Sequence, residues 1–134
     1  MLLIEDNEAD VYIAKEVLKE SGFNLDVQVA RDGESALKFI KSLEAEEKPC
    51  PALVLLDLNI PKLSGVEVLA QIRGGGRCKE IPVVVVTSSD SPEDVESVRG
   101  LNVSAYFRKP TSLQAYMKLG DVVREVLGEK SAKA

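Results

Sequence analysis

Ala52-Leu53-Val54-Leu55-Leu56-Asp57-Leu58-Asn59-Ile60-Pro61 runs five apolar residues straight into a carboxylate, and a proline stops the chain four residues later. An apolar run of this length bounded by turn signals reads as a strand buried on both faces, as in a parallel sheet. An aspartate at the end of such a strand is poorly placed for packing. It is well placed for chemistry, because ligands of open α/β sheets sit outside the carboxyl ends of the strands. Taken alone, Asp57 could as well cap the next helix. It does not stand alone.

Upstream, Met1–Ile4 is a short apolar strand that ends abruptly at Glu5-Asp6-Asn7. From Glu8 to Ser21, Val11, Ala14, Val17 and Leu18 recur at helical spacing, and Gly22 is a natural stop. Leu25, Val27 and Val29 alternate with Asp26 and Gln28, as in a half-exposed edge strand. Asp32-Gly33 turns the chain into a helix that puts Ala36, Leu37, Ile40 and Leu43 on one face, and the charged segment Glu44–Pro51 reads as a loop.

Downstream, Ser64-Gly65 opens a third helix that runs to about Arg73, where Gly74-Gly75-Gly76 ends it. The triple glycine follows no strand and precedes no Lys-Ser/Thr, so it reads as a loop and not a phosphate cradle. Ile81–Val86 is a second buried strand, ending at Thr87-Ser88-Ser89. Ser91-Pro92-Glu93-Asp94 starts a helix that reaches about Gly100. Ala105-Tyr106-Phe107 is the last strand, followed by Arg108-Lys109-Pro110. A final helix from about Ser112 to Leu127 should bury Leu113, Tyr116, Met117, Val123 and Val126, leaving Gly128–Ala134 as a frayed tail.

Five alternations of strand and helix predict an α/β doubly wound (βα)5 sandwich of the flavodoxin-like kind, a single domain over residues 1–134. The alternating strand belongs at an edge and the continuous runs in the middle, which gives the order 2-1-3-4-5. The chain is moderately acidic, at a formal charge of −5, which argues against nucleic acid as a partner. No stretch approaches the roughly 20 apolar residues of a membrane span. With no histidine, the usual triads and zinc sites are excluded. Cys50 and Cys78 show no Cys-x-x-Cys spacing and indicate neither a metal site nor a disulfide framework. A cytoplasmic protein is expected.

That strand order gathers Glu5, Asp6 and Asp57 at one crevice, with Thr87 and Lys109 on its rim. Each has a plain alternative: a solvated turn, a helix cap, a surface charge. Their shared place at the ends of different strands favours a site. A carboxylate pair about 4 Å apart costs roughly 4 kcal/mol at an effective dielectric near 20, and a hard divalent cation relieves it. An oxygen-only site that retains waters suits Mg²⁺. With an ammonium and a hydroxyl in reach, Asp57 is a candidate nucleophile toward a phosphoryl group.

Together, Glu5-Asp6-Asn7, Asp57 to Pro61 with Ser64-Gly65, Thr87-Ser88-Ser89 and Tyr106 to Pro110 resemble the receiver domain of two-component response regulators. The resemblance implies that Asp57 accepts phosphate from a phosphohistidine on a sensor histidine kinase, with no enzymatic action on a separate substrate. It implies Mg²⁺ held by Asp6, Asp57 and the main-chain carbonyl of Asn59, with Glu5 acting through water. It implies Thr87 and Tyr106 as a switch pair, Lys109 as the phosphoryl contact, and a cis Lys109-Pro110 bond. The fourth helix, fifth strand and fifth helix would carry the contact to a downstream protein or a second copy. The first strand has fewer leading residues than is usual in that family, and the chain ends after the fifth helix, so no DNA-binding output domain is expected. The wording of Glu5–Asp10 and Thr87-Ser88-Ser89 is similar to stand-alone regulators paired with phytochrome-type kinases.

Three rival readings are weaker. A haloacid dehalogenase-type phosphatase needs a second aspartate two residues on, and that position is Asn59, whose amide cannot give up a proton. An FMN carrier of the same strand order needs a Ser/Thr-rich phosphate loop where Glu5-Asp6 stands. A receiver that binds partners without phosphorylation would be expected to lack a site residue, and none is missing.

Overall fold

The central strand β3, Val54–Leu56, is wholly buried and pairs in parallel with β1, Leu2–Ile4, on one side and β4, Val83–Thr87, on the other. β2, Gln28–Ala30, flanks β1, and β5, Ala105–Arg108, flanks β4, giving the expected order β2-β1-β3-β4-β5. The computed structural model describes residues 1–23, 26–88 and 91–133, with the side chains of 129–133 excepted. Leu25, Ser89 and Ala134, which figure in the sequence reading, lie outside the described residues.

Alternation along the strands builds two cores. Leu2, Ile4, Val54, Leu56, Val83 and Val85 face one way, toward α2 (Gly33–Ala45) and α3 (Gly65–Arg73). Leu3, Leu53, Leu55, Val84 and Val86 face the other, toward α1 (Glu8–Glu20) and the C-terminal helices. Burying an aliphatic side chain of this size stabilises by roughly 1.5–3 kcal/mol, so the strands need no polar alternation. Side chains of Asn7, Asp32, Ser64, Ser91 and Ser112 each accept the N–H three residues on and start the helices there.

The boundaries differ from expectation in places. α2 takes Glu44 and Ala45 out of the expected loop. α4, Pro92–Ser97, stops before Gly100, where the Ser97 hydroxyl donates to its own helix at Asp94 O (2.6 Å) and the chain passes into turns. The single final helix is two: α5, Leu113–Tyr116, and α6, Lys118–Lys133. Met117 lies between them, and a tighter bond from Gly120 N–H to Met117 O (3.0 Å) replaces the regular ladder. Leu113 sits in the short first piece and is exposed, contrary to the inward place expected of it, whereas Tyr116, Val123 and Val126 are buried. The backbone of the expected frayed tail continues as helix through Lys133.

The cysteines also correct the sequence reading. Cys50 and Cys78 form a disulfide with Cα atoms 5.7 Å apart. Sequence spacing gives no sign of it, because the α2–β3 and α3–β4 loops meet only when strands β3 and β4 pair. Arg77 bridges the same loops, its Nη2 donating to Leu43 O (3.0 Å) and Lys48 O (2.6 Å). Glu44 Oε2 accepts the Cys78 N–H at 2.8 Å. Among the described residues no helix is long and apolar enough to cross a membrane.

Candidate functional site

Register explains how the site forms. Leu56 lies opposite Ile4 on one side and Val85 on the other, so the next residues of β1 and β3, Glu5 and Asp57, emerge side by side. Asp57 N–H donates to Ile4 O at 3.0 Å and fixes that step. Thr87, the last residue of β4, is fully buried, and its carbonyl accepts the Lys109 N–H at 2.8 Å. The backbone of one strand end thus sets where the lysine starts.

Lys109 then reaches back into the crevice. Its Nζ donates to Glu5 Oε1 at 2.6 Å, to Asp57 Oδ2 at 2.9 Å and to Asp10 Oδ2 at 2.9 Å. All three donors of the ammonium meet carboxylates. The Lys109 and Asp57 side chains are only 11% and 9% exposed, so water screens the pair little. The other Asp57 oxygen, Oδ1, accepts the Asn59 N–H at 3.0 Å. An apolar floor of Leu3, Ala14, Leu55, Val86 and Leu119 lies beneath, around a cavity of about 10 Å³.

The charges are set by that enclosure. Burial, reinforced by Asp57, pushes Glu5 up to about 9 against the pull of Lys109. Burial also works to raise Asp57, but is outweighed by the adjoining Glu5 carboxyl and by hydrogen bonds from the Asn59 N–H and Lys109, which hold it below the ordinary carboxylate range. For Lys109 the burial penalty is likewise outweighed by Glu5, Asp10 and Asp57, and its pKa rises. Asp57 is therefore an anion beside a permanent cation, the state a nucleophilic carboxylate needs.

The structure brings Glu5, Asp6, Asp57 and Lys109 together as expected, with one ligand oxygen from each of the three acids within 4.8 Å of the others. Glu5 Oε2 is buried without a hydrogen-bond partner. Clustered oxygens with one left unsatisfied are a donor set that fits a hard divalent cation. Tyr106 stands opposite Val85 in β5, half-buried against the α2/α3 core, one strand over and two residues back from Thr87. One expectation fails: the Lys109-Pro110 bond is trans, as X–Pro bonds ordinarily are, and the lysine reaches Asp57 without a cis bond.

Sequence reasoning missed Asp10. It reads as an acidic residue in the first turn of α1, favourable to the helix dipole and otherwise dull. The signal was its spacing: a residue one turn after Glu5-Asp6, on a helix that starts at the strand ends, returns toward the crevice.

The model of the response regulator receiver domain matches residues 1–119. The chain belongs to that family. This receiver domain is 42% identical over 120 residues to the response regulator Rcp1 of Synechocystis sp., covering 89% of this chain and 82% of the relative. Among solved structures it resembles the phosphorylated cyanobacterial phytochrome response regulator RcpA, with a TM-score of 0.82 and 35% identity over 92% of this chain and 89% of that one. It also resembles the Mn²⁺-bound form of Rcp1, with a TM-score of 0.80 and 40% identity over the same shares, 92% and 89%. The flavodoxin-like (βα)5 reading and the role in two-component phosphorelay signalling stand, and the phosphatase and flavin readings fall away.

Proposed function

We propose that Asp57 is the phosphoacceptor of this receiver domain, loaded from a phosphohistidine of a sensor histidine kinase with Mg²⁺ as the cation. The observation that carries the reading is the 2.9 Å bond from Lys109 Nζ to Asp57 Oδ2, across a crevice that also gathers Glu5 and Asp6. Asp6, Asp57 and the main-chain carbonyl of Asn59 would hold the cation, with Glu5 acting through water. When bound, it supplies positive charge beside the phosphoryl oxygens. An Asp57 oxygen attacks phosphorus, the new P–O bond forms as the P–N bond breaks, and the electron pair leaves on the imidazole, which takes a proton. Lys109 neutralises the oxygen charge on the protein's side.

Thr87 and Tyr106 are the proposed relay. A phosphoryl group adds about −1.5 to −2 charge and new acceptor oxygens. The Thr87 hydroxyl moving toward them frees space beside β5 for the Tyr106 ring. A groove of about 350 Å³ lined by Val95, Val98, Arg99, Val103 and Tyr106 already lies on this face. We assign α4, β5 and the C-terminal helices α5 and α6 as the surface read by a downstream protein or a second copy. Amide NMR with beryllofluoride and Mg²⁺ is expected to shift residues of β5 and α4. Shifts confined to the turns at Asp6 and Asp57 would overturn the relay.

The likeness to Rcp1 and RcpA supports a phytochrome-type kinase as the donor, and the cytoplasm is the location proposed with it. Intact mass tests the central reading. After incubation with acetyl phosphate and Mg²⁺ the parent is expected to gain one phosphoryl group, and Asp57→Asn none. Equal uptake by both would move the acceptor elsewhere, and no uptake by the parent would refute the site.

A further inference from the structure

We propose that Asp10 is a positioning residue for Lys109, the carboxylate that keeps the ammonium in the crevice when its other two partners are taken up by the reaction. The inference rests on the phosphoacceptor reading above and goes beyond it in naming what holds the lysine during transfer.

Lys109 Nζ divides its three donors among Glu5, Asp57 and Asp10. Two of these partners are committed elsewhere. Asp57 becomes an acyl phosphate and ceases to be a carboxylate, and Glu5 belongs with Asp6 and Asp57 in the cluster that suits a cation. Asp10 lies outside both roles, on α1 and not at a strand end. Once Asp57 is modified and Glu5 is engaged, Asp10 is the partner among these three left to hold the lysine.

Its own position is fixed independently of the site. The Asn7 side chain accepts the Asp10 N–H at 3.1 Å, and the neighbouring residues Val11 and Ala14 are buried in the core between α1 and the sheet. A side chain on a capped and packed first helical turn moves little. The Asp10 carboxylate, 25% exposed, therefore anchors an ammonium whose donor to Asp57 Oδ2 can turn to a phosphoryl oxygen. An ammonium has three donors on one compact centre, so it can hold Asp10 with one and follow the phosphoryl group with another.

Lysine side-chain NMR tests this, with acetyl phosphate kinetics beside it. The Lys109 ammonium protons are expected to be protected from solvent exchange in the parent and in Asp10→Glu, both free and with beryllofluoride and Mg²⁺. In Asp10→Asn, which keeps shape and loses charge, that protection is expected to be lost in the beryllofluoride form. Phosphorylation at saturating Mg²⁺ should slow about tenfold, as a small misplacement of a charge at a reacting centre does. A role in folding alone would lower the melting temperature and leave the protected signal in place. Retention of both signal and rate in Asp10→Asn, in a background where the parent takes up phosphate, overturns this inference alone. A parent that takes up none overturns the phosphoacceptor reading, and the inference with it.

Discussion

Gly65→Ala is expected to lower the urea midpoint by the equivalent of about 3 kcal/mol, at the upper end for an overpacked core position. Gly65 opens α3, and its N–H donates to Leu58 O at 2.9 Å, so the start of the helix lies directly against the turn after β3. A Cβ there would stand 2.6 Å from Asp57 O and 2.6 Å from Leu58 Cα. Both are backbone atoms, and neither can swing aside as a flexible side chain would. Relief requires pushing α3 off the sheet or moving the peptide that carries Asp57. The second route displaces the proposed phosphoacceptor, so uptake of phosphate should fall together with stability. Gly74→Ala is the control. Its Cβ would meet nothing nearer than Ala70 O at 3.5 Å, an ordinary contact, and a change within about 0.5 kcal/mol is expected for a surface substitution of that kind. Equal midpoints for the two variants would show that the close approach at Gly65 is not what holds α3 and Asp57 in place.

The strand ends were legible in the sequence because burial on both faces leaves no choice of residue. Leu53 to Leu56 and Val83 to Val86 must be apolar, so the first charged or polar residue after each run, Asp57 or Thr87, marks where the chain leaves the sheet. The same argument places Glu5. What it cannot give is contact across long sequence distance between groups that look ordinary locally. Asp10 meets Lys109 over a separation of 99 residues, and its local reading as a first-turn acid is already complete. Cys50 and Cys78 are 28 residues apart in two loops that only the pairing of β3 with β4 makes neighbours. The break at Met117 was hidden for another reason. The apolar spacing of α5 and α6 looks continuous, and only the exposed Leu113 betrays that the first turn has a different aspect from the rest.

Replacing Lys109 by methionine keeps the buried stem and removes the charge, and this variant is expected to show the strongest dependence on pH and on cation. Removing one partner from a buried ionic cluster typically costs about 3–5 kcal/mol, because charges are left unpaired away from water. Here part of that cost is avoided by proton uptake, and this fixes the sign of the pH dependence. In the parent, Glu5 is raised from 4.5 to about 9 by burial first and by Asp57. Between those values the folded state binds a proton that the unfolded chain has released, so the Glu5 contribution to stability falls as pH rises through that window. Lys109 pulls the Glu5 value down and helps hold Asp57 below its ordinary range. Without the ammonium, Glu5 rises further, and Asp57 loses a partner that kept it ionised at little cost. The melting temperature of Lys109→Met should therefore lie close to that of the parent near pH 4, where carboxylates can take protons. It should fall progressively below it toward pH 9. Millimolar Mg²⁺ should narrow the gap, since a cation bound only by the folded state stabilises by mass action and meets the same unpaired oxygens. Adding Asp57→Asn to the variant should narrow it without any cation. A gap of equal size at pH 5 and pH 9, unmoved by Mg²⁺, would mean that Lys109 contributes packing alone and that the carboxylates do not depend on its charge.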